Sequence, residues 1–265
     1  MRNVFFKTLY DQRRSLIWWV VGMAALAIFT MLFYPSVADI PELNEFFDNM
    51  PEALSRSFMG DVADYTSPEG YLNTEMFGFT IPMLFIFFTV ARGSGAVAGE
   101  EEKGTLELLL SYPLLRRRLV IDKFLAMVVV TILITITTWL AAVSGATIVD
   151  MEIGAWNLAQ IIISTALLGL VFGSLSLALG SATGKRGMTI GITSGFAVAA
   201  YLLNALAPLL DWLEPIRRLS PFYYYNSSDP LSNGLDLLHV GIMIGLVAVL
   251  VAVAIFAFGQ RDIAA

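Results

Sequence analysis

Six long stretches of the sequence lack Asp, Glu, Lys and Arg, and they constrain the fold more than any other feature. They cover residues 15–38, 76–91, 124–149, 153–184, 187–210 and 237–260, and the second continues to residue 99 after a single charge, Arg92. A helix needs about 20 apolar residues to cross a bilayer, where its backbone groups must bond to one another. The sequence therefore predicts an all-α, polytopic membrane protein with six transmembrane helices.

We expect a single six-helix transmembrane domain, residues 1–265, with spans at about 15–35, 76–98, 124–147, 157–182, 188–209 and 237–258. Residues 1–14 place Val4, Phe5 and Leu9 on one helical face, which predicts an amphipathic helix on the membrane surface or a plain basic anchor. Arg92 either snorkels to the interface, the favoured reading, or lines a hydrated part of the bundle.

The Lys and Arg residues orient the chain, because basic residues are preferentially retained in the cytoplasm. With the N-terminus inside, every Lys and Arg except Arg56, Arg217 and Arg218 falls in a cytoplasmic segment, while the external loop 39–75 is rich in acids. Both termini are therefore expected in the cytoplasm. Residues 36–38 resemble a signal-peptide cleavage site, but the apolar stretch before them is long for one, so we expect the first span to stay attached.

Composition excludes several kinds of chemistry. The chain is 57% hydrophobic and 14% charged, with a net charge of −6, no cysteine and one histidine. Disulfides, thiolate metal sites and cysteine nucleophiles are absent, and the acidic balance argues against nucleic acid as a partner. We expect no metal site in this chain.

The two long external loops carry aromatic residues. Loop 39–75 mixes Phe and Met with acids, which indicates short amphipathic helices over the outer mouth or a solvated acidic loop. The segment Ser220-Pro221-Phe222-Tyr223-Tyr224-Tyr225-Asn226 suits the aromatic belt of the membrane interface better than a ligand cage.

The cytoplasmic loop between spans 2 and 3 is the most informative segment. Gly104 interrupts the helix that leaves the membrane, Leu106, Leu109 and Leu110 share one face, and Pro113 ends the run. This pattern predicts a short amphipathic helix, which is marginal without a surface to pack on.

The same segment resembles a known family. Glu102-Lys103-Gly104-Thr105-Leu106-Glu107-Leu108-Leu109, followed by Pro113, Arg116 and Lys123, is similar to the signature of type-2 permeases of ATP-binding cassette exporters, the ABC-2 family. The resemblance extends over the whole chain, including the amphipathic start, a re-entrant segment before the last span and the ending Phe258-Gly259-Gln260-Arg261-Asp262-Ile263. Leu114-Leu115 departs from the family, where many members have a small polar residue before the arginine.

The resemblance implies a function and partners. This loop would be a coupling helix that docks on an ABC ATPase subunit, with two ATPase copies and a second permease subunit expected in the plasma membrane, most simply a prokaryotic inner membrane. The expected ATPase contacts are Glu102, Gly104, Thr105, Leu106, Glu107, Leu109, Leu110, Pro113 and Arg116.

The chain has no ATP-binding motif of its own. A P-loop needs Gly-x-x-x-x-Gly-Lys followed by Ser or Thr, so that backbone amides cradle the phosphates. Residues 99–105 place Lys103 before the second glycine, and residues 180–186 are one position short with Arg186 in place of the hydroxyl residue. We therefore expect no cofactor on this chain, no enzymatic activity, and ATP and Mg²⁺ on the partner ATPase.

Glycines recur every fourth residue at Gly187, Gly191 and Gly195 in the fifth span, a ridge that allows helices to approach closely. The ridge is consistent with pairing of two permeases or with packing inside one chain.

Two alternative functions are compatible with a six-span chain. An intramembrane protease or lipid transferase is disfavoured because the only histidine, His239, has no partner serine in a suitable motif. A non-transporting scaffold shares every span and differs only in lacking an ATPase. The cargo is unassigned, because Thr80, Asn204 and the threonines Thr131, Thr135, Thr137 and Thr138 either line a path or, more commonly for such residues, bond their own helices.

Overall fold

The protein is described from a computed structural model, which places residues 4–38, 40, 49, 65–106, 115–210 and 212–261. Six helices in this part are long and apolar enough to cross a membrane. Their main α-helices are α1 (Val4–Phe33), α2 (Thr80–Ala96), α3 (Arg116–Ile148), α4 (Ala155–Thr183), α5 (Arg186–Leu206) and α6 (Leu237–Gln260), and the second span also includes the helical turns from Pro68 onward. The described residues form helices and turns without a β-strand, so the prediction of an all-α, six-span fold is confirmed.

Two of the long helices begin earlier than the apolar windows. Helix α1 runs without a break from Val4, so the amphipathic start and the first span form a single rod, and α3 begins at Arg116 rather than near residue 124. The physical reason is that neither Gln12–Ser15 nor Arg116–Lys123 contains a proline or glycine, so charge alone does not end the helix.

The segment before α2 is helical and buried. A short helix, Pro68–Leu72, is capped by the Ser67 hydroxyl, which accepts a bond from the Gly70 N–H, and leads into a π-helical turn, Asn73–Phe77. Tyr71 donates to the carbonyl of Thr30 in α1 at 2.9 Å. Residues 65–75 of loop 39–75 are therefore packed against the bundle, which contradicts a solvated loop there; residues 41–48 and 50–64 lie outside the described part.

Helices α2 and α4 form the tightest contact in the core. A Cβ added at Gly93 of α2 would lie 2.2 Å from the Gly173 carbonyl oxygen of α4, and one added at Gly173 would lie 2.7 Å from Thr89 Cβ. The hydroxyl of Thr89 donates to the Gly169 carbonyl at 2.6 Å. Ser176 donates to the Val90 carbonyl at 3.0 Å. Small residues bring the two backbones together, and hydroxyls bond across the seam.

The other spans surround this pair. Helix α1 packs on α3, where a Cβ at Gly145 would meet Met31 at 2.7 Å, and α6 packs on α4. Helix α5 contributes few buried residues, all on one face: Thr189, Thr193, Ala197, Ala200 and Asn204. Outward-facing apolar side chains on α3, α5 and α6 provide the surface that a lipid bilayer would cover.

The segment between α5 and α6 folds back into the bundle. It comprises two 3₁₀ turns, Ala207–Leu209 and Glu214–Leu219, and the short helix Pro221–Asn226. Tyr225 is fully buried and donates to the Phe77 carbonyl at 2.7 Å, while Ser164 donates to the Tyr225 carbonyl at 2.9 Å. The prediction of an interfacial belt is therefore wrong for Phe222 and Tyr225, which are core residues.

Candidate functional site

Three consecutive glutamates lie where α2 leaves the bundle. Glu100, Glu101 and Glu102 belong to a five-residue helix, Ala98–Glu102, which is offset from α2 by a distorted turn at Val97 and is followed by Gly104 at a φ of +67°. Successive helical residues point about 100° apart, so the three carboxylates face different neighbours. We call the end of the bundle that contains them the loop end; α2, α4 and α6 finish there, and α1, α3 and α5 begin there.

Glu100 binds α3. Its carboxylate lies 2.5 Å from the Nζ atom of Lys123, and it also accepts a bond from the Thr105 hydroxyl at 2.5 Å. The side chains of Lys123 and Glu100 are only 7% and 17% exposed. Burial by itself would raise the pKa of Glu100, but the Lys123 ammonium and the hydrogen bonds from Lys123 and Thr105 together lower it below its ordinary value.

Glu101 binds the end of α6. Its carboxylate pairs with the Arg261 guanidinium, directly after the last residue of that helix. The Arg261 carbonyl in turn accepts a bond from Arg116 at 2.6 Å, and the Arg116 guanidinium lies 5.9 Å from the centre of the Phe258 ring. Glu101 is therefore linked through Arg261 to the first turn of α3 as well.

Glu102 caps α5. Its carboxylate accepts a bond from the Arg186 backbone N–H at 2.8 Å, at the first residue of that helix. A carboxylate at this position satisfies an otherwise unpaired donor and interacts favourably with the helix dipole. The preceding Gly184 has a φ of +65° and closes α4, and a side chain there would collide with Arg261.

An apolar layer supports the glutamates from below. Leu106 is 1% exposed and packs in a cluster with Val97 of the turn, Leu119 of α3, Leu177 of α4 and Phe258 of α6. The start of the loop is thereby fixed to the bundle both by charge and by packing.

The structure brings together five of the residues predicted as ATPase contacts. Four of them are exposed or half-buried around the three glutamates: Glu102, Gly104, Thr105 and Arg116. The fifth, Leu106, is buried in the apolar cluster, so its side chain is not available to a partner. Glu107, Leu109, Leu110 and Pro113 lie outside the described residues, as does most of the predicted coupling helix. The ATPase contact itself stays a prediction.

Sequence reasoning missed Glu100, Glu101, Lys123 and Arg261 as members of the site. The available signal was a run of three acids on a loop flanked by basic residues at the ends of three different spans. Opposite charges at the same membrane depth are natural partners, but the pairing depends on which helix ends are neighbours.

Arg92 lines a cavity at the loop end. Its guanidinium donates to the Ser15 hydroxyl at 2.9 Å and lies 4.9 Å from the centre of the Phe88 ring. The cavity has a volume of about 430 Å³. Arg92 therefore lines a cavity, while its reach to the membrane interface stays a prediction.

Most polar groups of the spans are bonded locally. Thr131, Thr135 and Thr137 donate to carbonyls of their own helix, as expected, whereas the buried hydroxyl of Thr138 has no hydrogen-bond partner among the described residues. Asn204 accepts a bond from Arg217 at 3.0 Å in the re-entrant segment. His239 lies against the rings of Tyr223 and Tyr224.

The predicted glycine ridge faces outward. Nothing lies within 4 Å of a Cβ added at Gly187, Gly191 or Gly195, so the ridge makes no close helix contact inside the described chain. Gly93, Gly169 and Gly173 take that role in the core.

Together, these features define an α-helical, multi-pass membrane protein whose inter-span loop is tied to several span ends. The chain belongs to the ABC-2 family of transporter proteins, because that family's model matches residues 2–263. It is 32% identical over 154 residues to a protein of Pseudomonas aeruginosa named "Probable ABC transporter permease protein NosY", covering 56% of this chain and 54% of that protein. A protein of the same name from Stutzerimonas stutzeri is 33% identical over 104 residues, 38% of each. The chain thus matches about half, or less, of the length of these curated relatives.

Proposed function

We propose that this chain is the membrane-spanning permease subunit of an ABC-2 exporter, which moves its cargo with ATP hydrolysed by a separate ATPase. The observation that carries the proposal is the glutamate run, which connects the start of the inter-span loop to α3, α5 and α6. Family membership and the permease relatives support it.

The geometry suggests how movement of the loop would reach the membrane. The Ala98–Glu102 helix continues α2 and holds three other span ends through separate carboxylates. A displacement of the loop by an ATPase would therefore shift several helices together. The tight α2–α4 seam would carry the same motion into the centre of the bundle. An ATPase whose two states contact the loop differently supplies the bias that such a switch needs.

Two features of the chain bear on its partners: it has no P-loop, and it exposes a glycine ridge on α5. ATP and Mg²⁺ would be bound by the ATPase, because this sequence has no P-loop. A second permease subunit and two ATPase copies would complete the assembly. It would lie in the inner membrane of a prokaryote, with both termini of this chain in the cytoplasm. The open ridge at Gly187, Gly191 and Gly195 is available for the second permease.

The test is affinity purification of the tagged chain from its native host in mild detergent, followed by identification of co-purifying proteins and measurement of ATP hydrolysis. We expect a P-loop ATPase in the eluate. Glu107→Lys combined with Leu109→Asp should remove it, while Glu214→Lys, an exposed glutamate at the opposite end, should not. Recovery of the chain alone without hydrolysis, or an ATPase that is indifferent to the loop variant, would refute the proposed coupling.

Topology has a separate test. Single cysteines introduced into this cysteine-free chain at Gly104 and Asn233 should react from opposite sides of the membrane with an impermeant maleimide. Labelling of Gly104→Cys only after the inner face is exposed would support a cytoplasmic loop end. Labelling of it in intact cells would overturn the orientation.

A further inference from the structure

We propose that the cavity at the loop end, together with an apolar groove beside it, binds one anionic phospholipid, with the phosphate against Arg92 and Lys103 and an acyl chain along α1. The cavity lies between the first turns of α1, the last turns of α2 and the start of α3. The binding itself does not depend on transport. With the proposed topology, this lipid would lie in the cytoplasmic leaflet, and that assignment alone rests on the proposed function.

The charge balance of the cavity points to an anionic ligand. Its lining contains two acids, Asp11 and Glu100, and five cations: Lys7, Arg92, Lys103, Lys123 and Arg186.

Each acid already has a partner. Asp11 pairs with Lys7 at 3.8 Å, and Glu100 pairs with Lys123. Among the described residues, the side chains of Arg92, Lys103 and Arg186 make no ion pair with a carboxylate.

Two of these cations are partly withdrawn from water. Arg92 belongs to a transmembrane helix, where its polar contact is the neutral hydroxyl of Ser15. The Nε atom of Arg186 is shielded from solvent and lacks a hydrogen-bond partner. Shielding an ionised group without a counter-charge is costly, so an anion in the cavity would stabilise both side chains. Phosphate oxygens are suited to guanidinium and ammonium donors.

An apolar groove next to the cavity favours a lipid over a free phosphate as the ligand. A second cavity of about 390 Å³ lies further along α1 and is lined by Trp18, Trp19, Gly22, Met23 and Leu26, with Leu84 of α2. Between the two cavities, Arg92 contacts Ser15 and the Trp19 ring packs edge-on against Phe88 at 5.3 Å. The polar and apolar sites therefore follow one another along the same α1–α2 seam.

The order of these sites matches the order of groups in a phospholipid. Lys7, Asp11 and the first turns of α1 are at the loop end, where headgroups would lie, and the groove begins at Trp18, which is 77% exposed as expected for a residue at the membrane interface. The groove then continues toward the middle of the span, at the depth of acyl chains. A soluble anion such as free phosphate has no apolar group that could occupy this groove.

The first experiment measures lipid binding to the purified transporter by native mass spectrometry and by tryptophan-monitored thermal unfolding. The probes are phosphatidylglycerol and phosphatidylcholine added to delipidated protein. We expect phosphatidylglycerol to be retained and to raise the unfolding temperature, and phosphatidylcholine to do neither. Equal binding of the two lipids would overturn the proposal.

Variants locate the phosphate. Arg92→Gln combined with Lys103→Gln should weaken phosphatidylglycerol binding by about tenfold or more. Arg92→Lys keeps the charge but loses the planar guanidinium over Phe88, so it should weaken binding less than the double variant does. Arg14→Gln removes the same charge from an exposed position outside the cavity and should have little effect. Equal loss in the Arg14 variant would mean general electrostatic attraction to the surface, which contradicts a defined site.

The last comparison separates a lipid from a soluble phosphate. A Cβ at Gly22 meets nothing within 4 Å, so Gly22→Leu should fill the groove without disturbing the helix. It should weaken phosphatidylglycerol binding, and millimolar glycerol 3-phosphate should not compete in any variant. If glycerol 3-phosphate competes while Gly22→Leu is without effect, the cavity binds a soluble phosphate and the lipid assignment is wrong. Size-exclusion profiles and unfolding without added lipid confirm that each variant is folded.

Discussion

Replacing Lys123 by methionine isolates the contribution of the Glu100–Lys123 pair. Methionine keeps most of the volume and removes the charge, so Glu100 is left with Thr105 as its remaining partner of those described. Both side chains are largely shielded from solvent. Removing one partner of such a pair typically costs about 3–5 kcal/mol, because the other charge stays behind in a poorly hydrated position.

That cost predicts a measurable change in thermal stability. For a chain of this size, ~1 kcal/mol corresponds to roughly 2–4 °C in Tm, so Lys123→Met should lower the Tm by about 6 °C or more. Replacing both residues, with Glu100→Gln and Lys123→Met together, should recover most of that loss, since no unpaired charge remains.

The assay is unfolding in detergent followed by tryptophan fluorescence, because the cysteine-free chain gives no signal with thiol dyes. The control is Asp11→Asn, which breaks the exposed Lys7–Asp11 pair and should cost about 0–1 kcal/mol. If Lys123→Met is no more destabilising than Asp11→Asn, or if the double variant is worse than the single one, the pair does not anchor the loop as described.

Three further predictions use the same assay. Lys123 helps to hold the pKa of Glu100 below its ordinary value, and in Lys123→Met burial would raise it instead. As the pH falls, the variant should therefore be relieved of its unpaired charge by protonation of Glu100 before wild type is, so the Tm difference should be largest at neutral pH and shrink with falling pH; a difference that grows as the pH falls would contradict this. Gly173→Ala places a methyl group against Thr89 and should cost about 1–3 kcal/mol, whereas Gly191→Ala, which meets open space, should be neutral or slightly stabilising. Tyr225→Phe should cost about 1–3 kcal/mol by leaving the buried Phe77 carbonyl unpaired, and an unchanged Tm would argue against that bond.

The sequence was sufficient for the number and type of spans but not for their contacts. Uncharged windows identify spans because hydrocarbon excludes charge, and that rule is local. It does not predict where helices begin. Helices α1 and α3 include charged turns before the uncharged windows, because charged residues outside the membrane do not interrupt a helix. The aromatic segment before α6 was also misplaced, because aromatic residues such as Phe222 and Tyr225 occur both at membrane interfaces and in protein cores, and residue type alone does not distinguish the two.

The sequence motif located the candidate site, but it did not predict which residues of the site pair with one another. Glu102 and Arg116 were identified from the family signature, but the pairing of Glu100 with Lys123 and of Glu101 with Arg261 joins residues 23 and 160 positions apart. Such pairs depend on which helix ends are neighbours, and a single sequence does not contain that information. The glycine ridges illustrate this point, because Gly169 and Gly173 face α2 while the ridge at Gly187 faces outward.

The α2–α4 seam also limits how this chain can vary. Contacts made by long side chains can be repacked by exchanging one residue for another of similar volume, whereas a side chain at Gly93 would meet the backbone of α4 at Gly173 and Leu177, where there is no side chain to exchange. A larger residue at Gly93 would therefore have to displace α4 itself. Among natural variants of this protein, we therefore expect the outward-facing positions of α5 and α6 to vary freely in sequence and Gly93 to remain a glycine.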